Sequence, residues 1–295
     1  HTKMFHTKEK IVDVLITNPT DIWNIWADDN DIKPTLRIKQ EGAGNGKTFG
    51  IWKSISLNLD KQLYIITTKQ HTAKDVIKNE LNDQAERHEY HIVSNIENID
   101  INKYNKQYII EYEHIRTKRK CVVVIGSIDS FVFSLTRKNP KKGSNFFEGL
   151  LYNICENGCD KMNAKTGEII YAGKKLNLDK TTELWIDETQ DLSILYYKAF
   201  VKLMLLTKID IVIVGDKLQS LEYPENFMTF IDEDGQYDIN VVREPQKNIN
   251  RRIKVLHMAE EINKLVDFEK YCLPKIKFDR EDELLDVGKS VVPFA

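Results

Sequence analysis

Residues 41–48 read Glu-Gly-Ala-Gly-Asn-Gly-Lys-Thr, directly after an apolar-alternating run (Leu36, Ile38) and directly before a helix-like one. Alternating glycines let a backbone curl until successive N–H groups point inward, the arrangement that cradles phosphate oxygens. Gly42, Ala43, Gly44, Asn45 and Gly46 supply that cradle, Lys47 adds a mobile cation, and the Thr48 hydroxyl is of the kind that holds Mg²⁺. The helix that follows aims its positive end at the same point. A strand, a glycine loop and a helix in this order constrain the chain to an α/β fold with a parallel sheet. One position departs from the pattern: Glu41 stands where a glycine is expected. A carboxylate there is unfavourable beside a polyanion unless it points away.

Phosphoryl transfer also needs oxygen ligands for the metal and a group to orient water. Leu184-Trp185-Ile186-Asp187-Glu188 is a short apolar run that ends in two carboxylates. An aspartate at the tip of a buried strand suits Mg²⁺, and its neighbouring glutamate suits a general base. Lys47, Thr48, Asp187 and Glu188 therefore read as one side of an ATPase site. The competing reading is an acidic helix N-terminus, which the helix dipole also favours.

Thr189-Gln190-Asp191 follows, and a second buried strand, Ile209 to Val214, leads into Gly215-Asp216-Lys217-Leu218-Gln219-Ser220-Leu221. A glutamine at a strand tip cannot titrate, yet it can accept from water and donate to a terminal phosphate. Gln219 thus reads as a sensor of ATP against ADP, with Gln190 a second candidate.

Together these segments resemble the first RecA-like domain of a superfamily 1 helicase of the UvrD/Rep/PcrA type. Two further segments appear in that family's order. Thr67-Thr68-Lys69-Gln70-His71-Thr72-Ala73 resembles its single-strand contact segment, and Ile125-Gly126-Ser127-Ile128-Asp129-Ser130-Phe131 its later Gly-Thr-x-His-Ser-Phe segment. The resemblance implies a P-loop NTPase with a RecA-like, mostly parallel sheet flanked by helices and a small inserted subdomain. It implies ATP and Mg²⁺ as cofactors, and ATP hydrolysis coupled to movement on single-stranded nucleic acid, DNA rather than RNA. Thr67, Thr68, Ser130, Phe131 and Tyr223 would meet the strand, mostly through backbone contacts that position it without reading sequence. Arg251 or Arg252, within Asn248-Ile249-Asn250-Arg251-Arg252-Ile253, resembles the arginine that reaches the γ-phosphate across a domain interface, a contribution of roughly 10³–10⁵ in rate.

The departures are specific. Asp129 occupies the usual histidine position and puts negative charge near a phosphate path. Tyr223 is one residue out of register with the family's stacking aromatics, and packing at the Tyr223-Pro224 turn is an equal reading. The aromatic that usually precedes the arginine is missing, and no glutamine motif for adenine is visible upstream. These departures keep open a non-motor P-loop ATPase, acting as a nucleotide-dependent switch or as a binding subunit of a replication or repair complex.

The chain has 295 residues, 41% hydrophobic and 30% charged, with a net charge of −2. That balance describes a soluble globular protein; no apolar run nears the ~20 residues a bilayer requires and no signal peptide is visible, so an intracellular location is expected. The same balance also excludes a uniformly basic surface. Basic clusters are local, at Arg116 to Lys120, read as a solvated hairpin turn, and at Arg137 to Lys142, for which solvent and phosphate are equal readings. Cys121, Cys155, Cys159 and Cys272 lack metal-site spacing and read as reduced thiols.

The expected organisation is a RecA-like ATPase domain over 1–245, with an inserted segment at about 137–182, then the start of a second domain or a linking helix over 246–295. A helical lead-in is expected over Lys8 to Trp26, and strands at Gln62 to Thr67, His91 to Val93, Tyr108 to Tyr112 and Cys121 to Ile125. Phe146 to Cys155 and Ser193 to Leu206 read as helices, and Asn157 to Leu178 as a hairpin insertion. A complete motor would need a second RecA-like domain or a partner subunit to close the ATP face.

Overall fold

The computed structural model describes residues 32–41, 47–99, 106–138, 142–216, 227–230, 237–245, 249–250, 256–265, 267, 275 and 277–278. Its centre is an eight-stranded sheet. The sheet runs through β1 (Thr35–Gln40), β2 (Leu63–Thr68), β3 (Tyr90–Ile99), β4 (Lys106–His114), β5 (Lys120–Ser127), β8 (Thr182–Ile186), β9 (Asp210–Gly215) and β10 (Asn240–Arg243), in the order β10-β1-β9-β8-β2-β5-β4-β3. The six strands from β10 to β5 are mutually parallel, while β4 and β3 add an antiparallel edge.

The middle strands are buried at every position, as strands covered on both faces must be. Side chains alternate between two cores. Leu63 and Ile65 of β2, and Leu184 and Ile186 of β8, point to one; Tyr64, Ile66 and Trp185 point to the other. Helices α1 (Lys47–Leu57) and α2 (His71–Ala85) close the second core through Ile51, Trp52, Ile55, Ile77 and Leu81. Helices α3 (Ile128–Leu135), α4 (Phe146–Asn157), α5 (Ile194–Thr207) and α6 (Phe227–Phe230) close the first. The result is a three-layer α/β sandwich, the architecture expected from the alternation of strands and helices.

The stretch read as an insertion forms α4 and a hairpin, β6 (Glu168–Tyr171) and β7 (Lys174–Asn177). Its turn residues Ala172 and Gly173 both have positive φ, 53° and 73°, the pairing a tight two-residue hairpin requires. Leu150, Ile154, Ile169, Tyr171 and Leu178 join the same core as the main sheet. Tyr171 reaches across to β5, where only a glycine fits: a Cβ on Gly126 would collide with the tyrosine hydroxyl.

One local reading changes. Strand β10 went unread because it has four residues, mostly exposed, and no alternation. Within 246–295, read as the start of a second domain or a linking helix, Ile249–Asn250 form strand β11, paired in parallel with β12 (Lys277–Phe278), and helix α7 spans Leu256–Leu265. The lead-in helix, Lys8 to Trp26, lies outside the described residues. Among the described residues no helix is long and apolar enough to cross a membrane.

Candidate nucleotide site and adjoining cleft

Parallel pairing brings the carboxyl ends of β1, β9, β8, β2 and β5 to one edge. Gln40 stands beside Gly215, Ile213 beside Ile186, Ile186 beside Thr67, and Thr68 beside Ser127. Open α/β sheets bind ligands along this edge. Helix α1 starts there with Lys47, so Lys47 and Thr48 sit in the first turn of a helix fed from β1. Gly42, Ala43, Gly44, Asn45 and Gly46 lie outside the described residues, as do Gln219, Tyr223, Arg251 and Arg252. Glu41 is buried at the end of β1, where its N–H donates to the Gly215 carbonyl at 3.0 Å.

Asp187 and Glu188 follow the last residue of β8. The Asp187 N–H donates to the Thr67 carbonyl at 2.9 Å, which extends the ladder one step past the strand. Glu188 then turns left-handed, φ 54° and ψ 45°. That conformation costs a non-glycine residue about 1–3 kcal/mol and persists only where its surroundings impose it. They do so here. The Thr189 hydroxyl lies 2.9 Å from the Ile186 carbonyl and 3.0 Å from the Val214 carbonyl, bolting the turn to both strands. Gln190, buried next door, donates from Nε2 to Glu188 Oε2 at 2.6 Å and accepts the Asp216 N–H on Oε1 at 3.1 Å. Asp216 Oδ1 in turn accepts from Gln40 Nε2 at 3.1 Å. A hydrogen-bonded relay therefore runs Gln40–Asp216–Gln190–Glu188 across three strand tips, its middle link made by the Asp216 main-chain N–H.

This donor set fits magnesium. Oxygen ligands at a strand tip suit a hard cation that keeps waters and leans on phosphate oxygens. Among the described residues no group of three His, Cys, Asp or Glu would hold a metal ion by itself. Asp187 stands just past the end of β8 and would be the carboxylate to share such an ion with a nucleotide.

Beside the site, past β2 and β5, opens a cleft of about 910 Å³. Lys69, His71, Ser127, Ser130 and Arg137 line it. Lys69 belongs to both places, since its Nζ donates to the Asp191 carbonyl at 3.1 Å, on the turn that begins with Glu188.

The strand-contact residues are placed differently from expectation. Thr67, Thr68 and Phe131 are fully buried. The Thr67 hydroxyl donates to the Trp185 carbonyl at 3.0 Å, Thr68 Oγ1 accepts the Gln70 N–H at 3.3 Å, and Phe131 packs its ring against Tyr171 and Phe200. None offers a surface to a strand; they shape the edge from beneath. Ser130 does face the cleft, but its hydroxyl donates to the Ser127 carbonyl at 2.8 Å and accepts from Gln107 Nε2 at 3.2 Å. Asp129, the residue at odds with a phosphate path, accepts the Tyr196 hydroxyl at 2.8 Å.

Gln40 carried no readable signal, because a buried amide looks like an ordinary polar residue in sequence, and Asp216 was legible only as part of the Gly215-to-Leu221 segment, not as a partner of Gln40 and Gln190. The buried cysteines are inert: burial pushes the Cys121 and Cys155 thiols up to about 12.

A mostly parallel sheet with a glycine loop and helix at one strand tip and paired carboxylates at another defines a P-loop NTPase. The chain belongs to the AAA domain family, whose model matches residues 30–224, a P-loop domain found in UvrD/Rep-type helicases. Membership points to nucleotide binding, with Mg²⁺, and to ATP hydrolysis. No curated protein matches the chain.

Proposed function

We propose that the chain is the motor domain of a superfamily 1-like translocase or helicase, coupling ATP hydrolysis to movement along single-stranded nucleic acid, with DNA favoured. The observation that carries this reading is Lys69. It lines the open cleft and also holds the carbonyl of Asp191, at the far end of the turn that begins with Glu188. A strand that engages Lys69 would thereby act on the turn that positions the base.

In this reading Lys47 neutralises the terminal phosphates, and Asp187 with Thr48 holds the ion. When bound, Mg²⁺ supplies charge stabilisation for the leaving and transferred oxygens. Glu188 takes the proton of the attacking water, its orientation held by Gln190. Gln219 reads the γ-phosphate. Arg251 or Arg252, or an arginine of a second RecA-like domain or a partner subunit, completes the charge clamp.

The test is ATP turnover by the chain with and without single-stranded DNA or RNA, beside Lys47→Ala. Turnover that rises with a strand and vanishes in the variant supports the motor. Strand-independent turnover favours a second reading, a nucleotide-dependent switch or assembly subunit. That alternative draws on the inward commitment of Thr68 and Phe131 and on the acidic Asp129.

A further inference from the structure

The far wall of the cleft is built from residues that no motif accounts for. Phe133, Phe146 and Phe147 expose 50%, 43% and 39% of their surface, while Phe131, Phe200 and Phe227 are buried almost completely. The exposed rings form one patch. The centroids of Phe133 and Phe146 lie 6.0 Å apart, and those of Phe146 and Phe147 lie 5.5 Å apart at 86°. Grouped aromatic surface left in water is the unusual observation, since scattered apolar residues need no explanation.

The surroundings select the occupant. Lys161 Nζ sits 3.6 Å from the Phe133 ring centroid and also donates to the Phe133 carbonyl at 2.6 Å, so the cation is fixed over the aromatic wall. Arg137, Lys69 and His71 line the same space. Its two carboxylates already accept from the fold: Asp129 from Tyr196, and Asp160 from the Thr136 hydroxyl and the Arg137 N–H, both at 2.8 Å. Lys69, Arg137 and Lys161 outnumber those two carboxylates by one positive charge, and an apolar peptide would gain nothing from that surplus. Flat π-faces bearing a phosphate chain gain from both, because bases stack on aromatic rings while the backbone follows positive charge.

We propose that Phe133, Phe146 and Phe147 form a base-stacking platform for single-stranded nucleic acid, with the phosphate chain running past Lys161 and Arg137 toward Lys69. The proposal rests on the nucleic-acid reading above and locates the contact outside the family's motif positions. It also accounts for a strand path on an edge whose motif residues Thr68 and Phe131 face inward.

The test uses the full chain and a fluorescein-labelled, mixed-sequence single-stranded DNA oligomer, read by anisotropy across a salt series. Phe146→Ala and Phe147→Ala are expected to weaken binding roughly five- to a hundred-fold. Their salt dependence should match wild type, while Lys161→Ala lowers the slope by about one. Phe146→Trp is expected to bind as wild type does, which a merely structural role would not predict. A 2-aminopurine oligomer gives a second readout on the unaltered protein: stacking quenches it, and an unquenched bound oligomer overturns the platform. Wild-type binding with unchanged affinity in both alanine variants overturns the platform and leaves the motor reading standing. Absence of any strand binding by wild type at low salt overturns both. Altered self-association of the variants without loss of DNA affinity makes the patch a contact between copies and overturns the proposal.

Discussion

Gly215 makes room for Gln190: a Cβ built on Gly215 would lie 2.7 Å from Gln190 Oε1 and 2.5 Å from Met228 Sδ. The missing side chain is what lets the amide reach both the Asp216 N–H and the Glu188 carboxylate. Gly215→Ala should therefore displace Gln190 and release Glu188, at a stability cost of about 1–3 kcal/mol from overpacking. The expected kinetic result is a drop in kcat of roughly tenfold or more with KM for ATP nearly unchanged, since the affected group acts on water rather than on binding. Unchanged kcat would separate the relay from the base.

Glu188→Gln keeps the shape of that contact and removes only the capacity to take a proton. Nucleotide binding, followed with a fluorescent ATP analogue, should persist while turnover falls by a factor of roughly 10²–10⁴. Lys47→Ala should instead abolish binding. Retained turnover in the glutamine variant would assign the base to another residue.

Legibility in the sequence followed physical visibility. The glycine loop and the apolar run ending in Asp187-Glu188 are local patterns, so the sheet, its order of chemistry and the strand-tip carboxylates could all be anticipated. Long-range consequences could not. Thr67, Thr68 and Phe131 have the residue types of strand contacts, yet each lies where a neighbouring strand or helix covers it. Phe146 and Phe147 read as the start of a helix, and their exposure depends on where α3 and the Lys161 loop pack. Gly126 and Gly215 read as motif glycines without a reason, and the reasons, Tyr171 and Gln190, come from 45 and 25 residues away in sequence.

Glu183 couples α1 to β8 and sets a pH dependence of stability. Its buried carboxylate accepts from Ser54 Oγ of α1 at 2.5 Å, Asn58 Nδ2 at 2.9 Å and Trp185 Nε1 at 2.6 Å. Desolvation raises its pKa above the ordinary 4.5, partly opposed by the Ser54 and Trp185 hydrogen bonds. The folded state thus holds this proton more tightly than the unfolded chain does. Its contribution to stability is greatest below the unfolded pKa and declines as pH rises from there through the folded value. Urea midpoints of wild type should fall relative to Glu183→Gln across that window and run parallel to it above. Parallel curves throughout would show that Glu183 titrates normally.

Arg119 closes the other end of the same helix. It was read as part of a solvated turn, but its guanidinium donates to the Ile55, Asn58 and Lys61 carbonyls at 2.7, 2.9 and 2.7 Å, and to the Tyr90 hydroxyl at 3.2 Å. The first two acceptors belong to the last turn of α1 and the residue just past it, where orphan carbonyls and the negative end of the helix dipole both favour a cation. Arg119→Ala strands these carbonyls and should cost about 2–3 kcal/mol in urea unfolding. Arg119→Lys should recover only part of that, because one ammonium cannot span a fork of three acceptors. ATP affinity of the folded variant should change little, since the phosphate end of α1 lies three turns away. A large loss of affinity would instead mean that the tail of the helix governs its head, and would make the Arg119 hairpin part of the nucleotide site.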